Sequence, residues 1–206
     1  MIFFHRNTTS KISQAINAEI LVISIGKSGR TWLRVLLEQY FSNIHNKNHN
    51  IQKKSDTLNS PNIFFTHELW EHRSKANILH QLTRKYLIPQ KVLNQRKIIL
   101  LYRDPRDVVV SLYHHKTKRS KKKYTKSISK FIRDEKYGIK SIINVMNTWR
   151  KQFLHHQNCF WISYEDMKKE TPDNLIKIVE FITHNNADIA EIQNAVQFCD
   201  FKESWP

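Results

Sequence analysis

Four short apolar runs interrupt an otherwise polar chain: EILVISI at 19–25, NIFFT at 62–66, KIILLYR at 97–103 and CFWIS at 159–163. Each is continuous rather than alternating, the pattern of strands covered on both faces. Between them the period changes. Trp32, Leu33, Leu36, Leu37 and Tyr40 recur at the spacing of one helical face, and so do Ile139, Ile142, Ile143, Met146, Trp149 and Phe153. Strand and helix therefore alternate, which predicts an α/β fold of three layers, a central parallel sheet flanked by helices. Asp104-Pro105 and Thr171-Pro172 each set a capping residue before a proline, so helices are expected to begin there with Pro105 and Pro172 in first position. Two polar stretches without apolar period, 42–62 and 114–127, are expected to be surface loops or lids.

Composition narrows this picture. With 206 residues and 40% apolar content, one domain over residues 1–206 is expected. Cys159 and Cys199 are too few for a disulfide framework and sit in no metal-binding spacing, so free thiols in a reducing, cytoplasmic setting are expected. No apolar run is long enough for a membrane span. Thirty-four Lys and Arg against eighteen Asp and Glu leave a formal charge of +16, which favours anionic partners without choosing among them.

The candidate chemistry lies at the strand ends. Lys27-Ser28-Gly29 follows the first run, His67 the second, Arg103 ends the third and Tyr164 follows the fourth. Ligands of open parallel sheets bind beyond the carboxyl ends of the strands, so these features are expected to share one crevice. The stretch IGKSGRTWLRVLL (25–37) suits a P-loop-like anion site, with amides from Ser28 to Trp32 at a helix start and Lys27 adding a charge. Alternatively, Gly26 and Gly29 only permit a tight turn. A Walker A loop would require glycine at position 21, where Leu21 stands. Other readings stay open residue by residue. Arg103 could pair with Asp107 or Asp104, Trp32 and Tyr164 could be core aromatics, and His67 could be structural.

The blocks GKSGRTWL (26–33), FTHEL (65–69), YRDPRDVVVSLYHH (102–115), YGIKSIINVMNTW (137–149) and SYEDMKKETPDNLIKIVEFI (163–182) resemble, in order, segments of the sulfotransferases that use 3′-phosphoadenosine 5′-phosphosulfate (PAPS). The resemblance implies PAPS as donor, no metal, and a small-molecule or glycan acceptor bearing a hydroxyl or amine. It implies that Lys27 stabilises the leaving phosphate while Ser28, Gly29, Arg30 and Thr31 hold the 5′-phosphate. Trp32 and Tyr164 would contact adenine, Arg103 and Ser111 would bracket the 3′-phosphate, and His67 would be the general base. Three departures stand out: Arg30 where that family has threonine, Phe65 where cytosolic animal members have lysine, and no Arg-Lys-Gly segment near the end, the mark of a truncated or divergent member. The basic insert follows the block that borders the acceptor channel, which raises an acidic acceptor as a reading.

Two other functions compete. A P-loop nucleotide kinase or NTPase would read KIILLYRD (97–104) as a Walker B strand and bind ATP with Mg²⁺. A nucleic-acid-binding module would rest on KTKRSKKKYTK (116–126), with steep salt dependence but no recognition motif, so no specific nucleic-acid partner is expected. Oligomeric state is not legible in the sequence.

Overall fold

The computed structural model describes residues 8–51, 61–75, 78–83, 87–120 and 123–202. The four apolar runs form β1 (Ile20–Ser24), β2 (Ile63–Thr66), β3 (Lys97–Tyr102) and β4 (Cys159–Ser163). They make one parallel sheet in the order β2-β1-β3-β4. Parallel neighbours require crossovers, and the helices between the strands supply them.

Alternate strand residues serve opposite faces, as the two-residue period of a strand dictates. Ile20, Val22, Ile99 and Leu101 pack beneath α2 (Arg30–Ile51), α10 (Thr171–Thr183) and α11 (Ile189–Lys202). Leu21, Ile23, Ile98 and Leu100 face the other layer, which includes α1 (Thr8–Asn17), α6 (Pro105–His114), α7 (Ile128–Ile132) and α8 (Ile139–Phe153). Both faces being covered explains the unbroken apolar runs. The short helices α3 (Trp70–Lys75), α4 (Ile78–Leu82), α5 (Gln90–Asn94) and α9 (Tyr164–Lys169) fill the remaining connections.

The expected helix start at Pro105 is found: Asp104 caps α6 by accepting from the Arg106 amide at 2.8 Å. Bonds from Arg106 hold the Asp104 carboxyl down to about 2, so it stays ionised in the cap. Four expectations need correction. Thr171 does not cap α10; the helix starts on it, behind Glu170, and its hydroxyl donates back to the Met167 carbonyl at 2.8 Å. On α8 the buried face runs Ile142, Val145, Trp149 and Phe153, while Ile143 is exposed.

Residues 42–51 are not a loop, because α2 continues through them to Ile51. Asn and Lys carry only a small helical penalty, and tertiary contacts outweigh it here: Ile44 packs on the core and Lys47 reaches Asp188, ahead of α11, at 2.7 Å. The rest of the expected lid, through residue 60, lies outside the described residues. The 114–127 stretch likewise begins as helix, since His114 ends α6 and His115–Arg119 form a π-helical turn; residues 121–122 lie outside the described residues.

Candidate functional site

Beyond the carboxyl ends of the strands lies a cavity of about 700 Å³, within the range of small-ligand sites. Lys27, Gly29, Arg30, Thr31 and Trp32 line it from the first loop and helix; His67, Arg103, Ser111 and Tyr164 line it from the other strand ends and α6. Nine of the ten residues singled out in the sequence thus meet in one hollow. Ser28 is the exception: it is fully buried, and its Oγ has no hydrogen-bond partner.

The loop after β1 is held in an unusual shape. Lys27 has φ of 75° and Gly29 of 82°, a region that costs a side-chain-bearing residue about 1–2 kcal/mol. Gly29 has a second constraint, because a Cβ there would lie 2.5 Å from Cδ2 of Tyr164. The Gly29 carbonyl accepts from the Leu33 amide at 3.0 Å, which makes it the cap of α2. The first turn of α2, whose amide hydrogens have no acceptor within any helix, therefore lines the cavity.

Tyr164 and Arg103 lock this loop from outside. Ser163 caps α9 by accepting from the Asp166 amide at 2.9 Å, which starts that helix on Tyr164. The Tyr164 ring meets Trp32 edge to face at 5.9 Å, and the Arg103 guanidinium lies 4.4 Å from its centroid. Arg103 Nη1 donates to the Lys27 carbonyl at 3.2 Å, while Nη2 is 3.4 Å from Asp107. The ion pair with Asp107 considered from sequence is therefore present, but long and at one end of the fork; Asp104 pairs with Arg106 instead. Arg103 Nε and Trp32 Nε1 are buried without hydrogen-bond partners. Unsatisfied donors beside a hollow are where an anionic guest gains most.

His67 follows β2 with Nδ1 2.7 Å from the Ser24 carbonyl. A carbonyl can only accept, so Nδ1 carries the hydrogen and the ring lone pair belongs to Nε2. The next residue, Glu68, is 4% exposed and accepts from the Ile88 amide at 2.7 Å and from Lys11 Nζ at 3.1 Å, which ties the position beside His67 to α1. Burial pushes the Glu68 carboxyl above its ordinary value, against the pull of Lys11. Burial, followed by the charges of Arg119 and Arg103, draws the Lys27 ammonium below the ordinary lysine value.

The cavity has further walls that the sequence did not announce: Trp70, His115, Lys116 and Tyr137 among them. His115 stands four residues after Ser111, on the same side of a helix, so carrying the α6 period one turn further locates it. Among the described residues, no group of three or more His, Cys, Asp or Glu could hold a metal ion, and no helix is long and apolar enough to cross a membrane.

The family model for a sulfotransferase domain matches residues 17–206. Amine sulfotransferase of Oryctolagus cuniculus is 27% identical over 172 residues, covering 80% of this chain and 56% of that protein. Sulfotransferase 1E1 of Rattus norvegicus is 26% identical over 202 residues, covering 90% and 65%. The chain thus spans roughly three fifths of the length of these curated relatives. In fold it is similar to a mouse sulfotransferase complexed with PAP, at 18% identity and a TM-score of 0.64, covering 95% of this chain and 70% of that one. It is also similar to retinol dehydratase in complex with androsterone and the inactive cofactor PAP, at 17% identity and a TM-score of 0.59, covering 96% and 70%. A match over nearly the whole chain, joined to that fold, makes this chain a member of the sulfotransferase family.

Proposed function

We propose that the protein transfers a sulfuryl group from PAPS to the hydroxyl or amine of a small acceptor in the cytosol, with His67 as general base. One observation carries this reading: Arg103 and Lys27, 76 residues apart, are hydrogen-bonded to each other in the cavity that also holds Ser111 and His67. One doubly phosphorylated adenosine could reach both residues in that hollow, and proteins of similar fold are complexed with PAP.

The residues present suit such a guest. Arg103 and Ser111 supply donors for the 3′-phosphate, and the first turn of α2 with Gly29 cradles the 5′-phosphate. Because the Ser28 hydroxyl is turned into the fold, its share falls to its backbone amide. Trp32 and Tyr164 offer faces and edges to adenine. As the acceptor oxygen or nitrogen bonds to sulfur, the bond from sulfur to the phosphate oxygen breaks. Nε2 of His67 takes the acceptor proton, and Lys27 neutralises the charge that appears on the departing phosphate. The Ser24 carbonyl fixes the His67 tautomer that such a base needs.

The test is calorimetric titration with adenosine 3′,5′-bisphosphate (PAP) beside ATP and Mg²⁺. Wild type is expected to bind PAP without metal and to bind ATP weakly; Lys27→Ala and Arg103→Ala lose about tenfold or more in PAP affinity. His67→Ala keeps PAP and loses turnover by about a hundredfold to ten-thousandfold. Metal-dependent ATP binding in place of PAP binding would return the kinase reading.

A further inference from the structure

Another wall of the cavity is made by α6 and the π-helical turn behind it, and beyond Ser111 its side chains are not needed for the donor. Ser111 and Leu112 reach the cavity from α6, and one turn later His115 and Lys116 do the same. A π-turn widens the helix, and such turns recur where a helix must re-aim side chains at a site. Lys116 has its ammonium 4.4 Å from the centroid of Tyr137, another wall residue. Among the described residues, neither Lys116, Arg119 nor Lys27 pairs with a carboxylate, and no Asp or Glu lines the cavity.

These cations gather at the Lys27 end. Arg119 lies near enough to depress Lys27, and after burial itself Lys27, Lys116 and Arg119 together depress the His115 imidazole. Mutual repulsion of this kind persists in a fold when an anion relieves it. The adenine-facing aromatics stand elsewhere, at Trp32 and Tyr164.

A contact at Gly26 fixes where an acceptor would lie. A methyl placed on Gly26 would touch His67, Leu112 and Trp70, each at 3.9 Å, so these three side chains converge on one point. A hydroxyl at His67 therefore has the apolar Leu112 and the indole Nε1 of Trp70 beside it, and His115 and Lys116 about one helical turn, ~5 Å, further along in the π-turn after α6. We propose that the acceptor is itself an anion: a small molecule with an apolar body, its hydroxyl at His67 and a carboxylate or similar group met by His115 and Lys116, with Arg119 of the same turn adding to the positive field. This rests on the sulfotransferase reading and names the substrate class of that site.

The test titrates the PAP complex of the full chain with 4-hydroxybenzoate and with its neutral methyl ester. Wild type is expected to bind the carboxylate about tenfold more tightly, the worth of one charge-assisted hydrogen bond. In the Lys116→Ala/Arg119→Ala double variant the ratio falls toward one, while PAP affinity drops by no more than about threefold, the long-range share of two screened charges. A ratio near one in the wild type, or a ratio unchanged in the double variant, overturns the proposal. So does a double variant that loses PAP as severely as Arg103→Ala, because the cations then belong to the donor. Absence of PAP binding in the wild type overturns the sulfotransferase reading and this one with it, whereas PAP binding without preference overturns this one alone.

Discussion

The two walls of the cavity are built on opposite plans. On the Gly29 side every group is held by another: the Tyr164 ring abuts Gly29, Trp32 and Arg103 flank that ring, and Arg103 is tied to the Lys27 carbonyl. On the α6 side His115 and Lys116 line the hollow, with a tyrosine ring as the contact of Lys116 and, among the described residues, no carboxylate lining it. The first wall recognises by shape, since its parts cannot move independently. The second, with the anionic acceptor proposed for it, would recognise by field.

The largest break in this contrast comes from Gly29→Ala. The new methyl must displace a ring that is packed on both sides, and the backbone must hold φ of 82° with a side chain, so both loop and partner shift. A loss of about a hundredfold in PAP affinity is expected by calorimetry, with a stability loss of about 1–3 kcal/mol in denaturant titration. A smaller, sharper probe is Arg119→Ala read by NMR titration of His115. Removing one of the cations that depress the imidazole moves its pKa upward, and an unmoved value would detach Arg119 from this wall. Smallest is Lys47→Ala, on the far part of α2, where the side chain pairs with Asp188 and Glu191 instead of the cavity. PAP affinity there is expected to stay within about twofold, and a larger change would mean that α2 transmits strain to Gly29.

The strands were readable because burial on two faces leaves no polar position to blur them; 159–163 matches β4 residue for residue. The strand-end placement of Lys27, His67, Arg103 and Tyr164 followed from the parallel sheet, so their meeting in one cavity was largely visible in sequence. The distal half of α2 was not, because Asn, His and Lys after Phe41 carry no helical period. Lys47 and its acidic partners are 141 and 144 residues apart, and local pattern does not report contacts at that distance. His115 and Lys116 were hidden for another reason: they open a run of cations that reads as solvated surface, which masks the one-turn spacing of His115 from Ser111.

The buried carboxylate of Glu68 gives the histidine beside it a long mooring. One oxygen takes the amide at position 88 and the other the ammonium of Lys11, so the imidazole's neighbour is pinned by two segments far away in the chain. Whatever loosens the amino-terminal helix is thereby delivered, through a single side chain, to the residue beside His67. With His67 in its proposed role, a lesion remote from the cavity is then expected to slow turnover while leaving PAP binding intact.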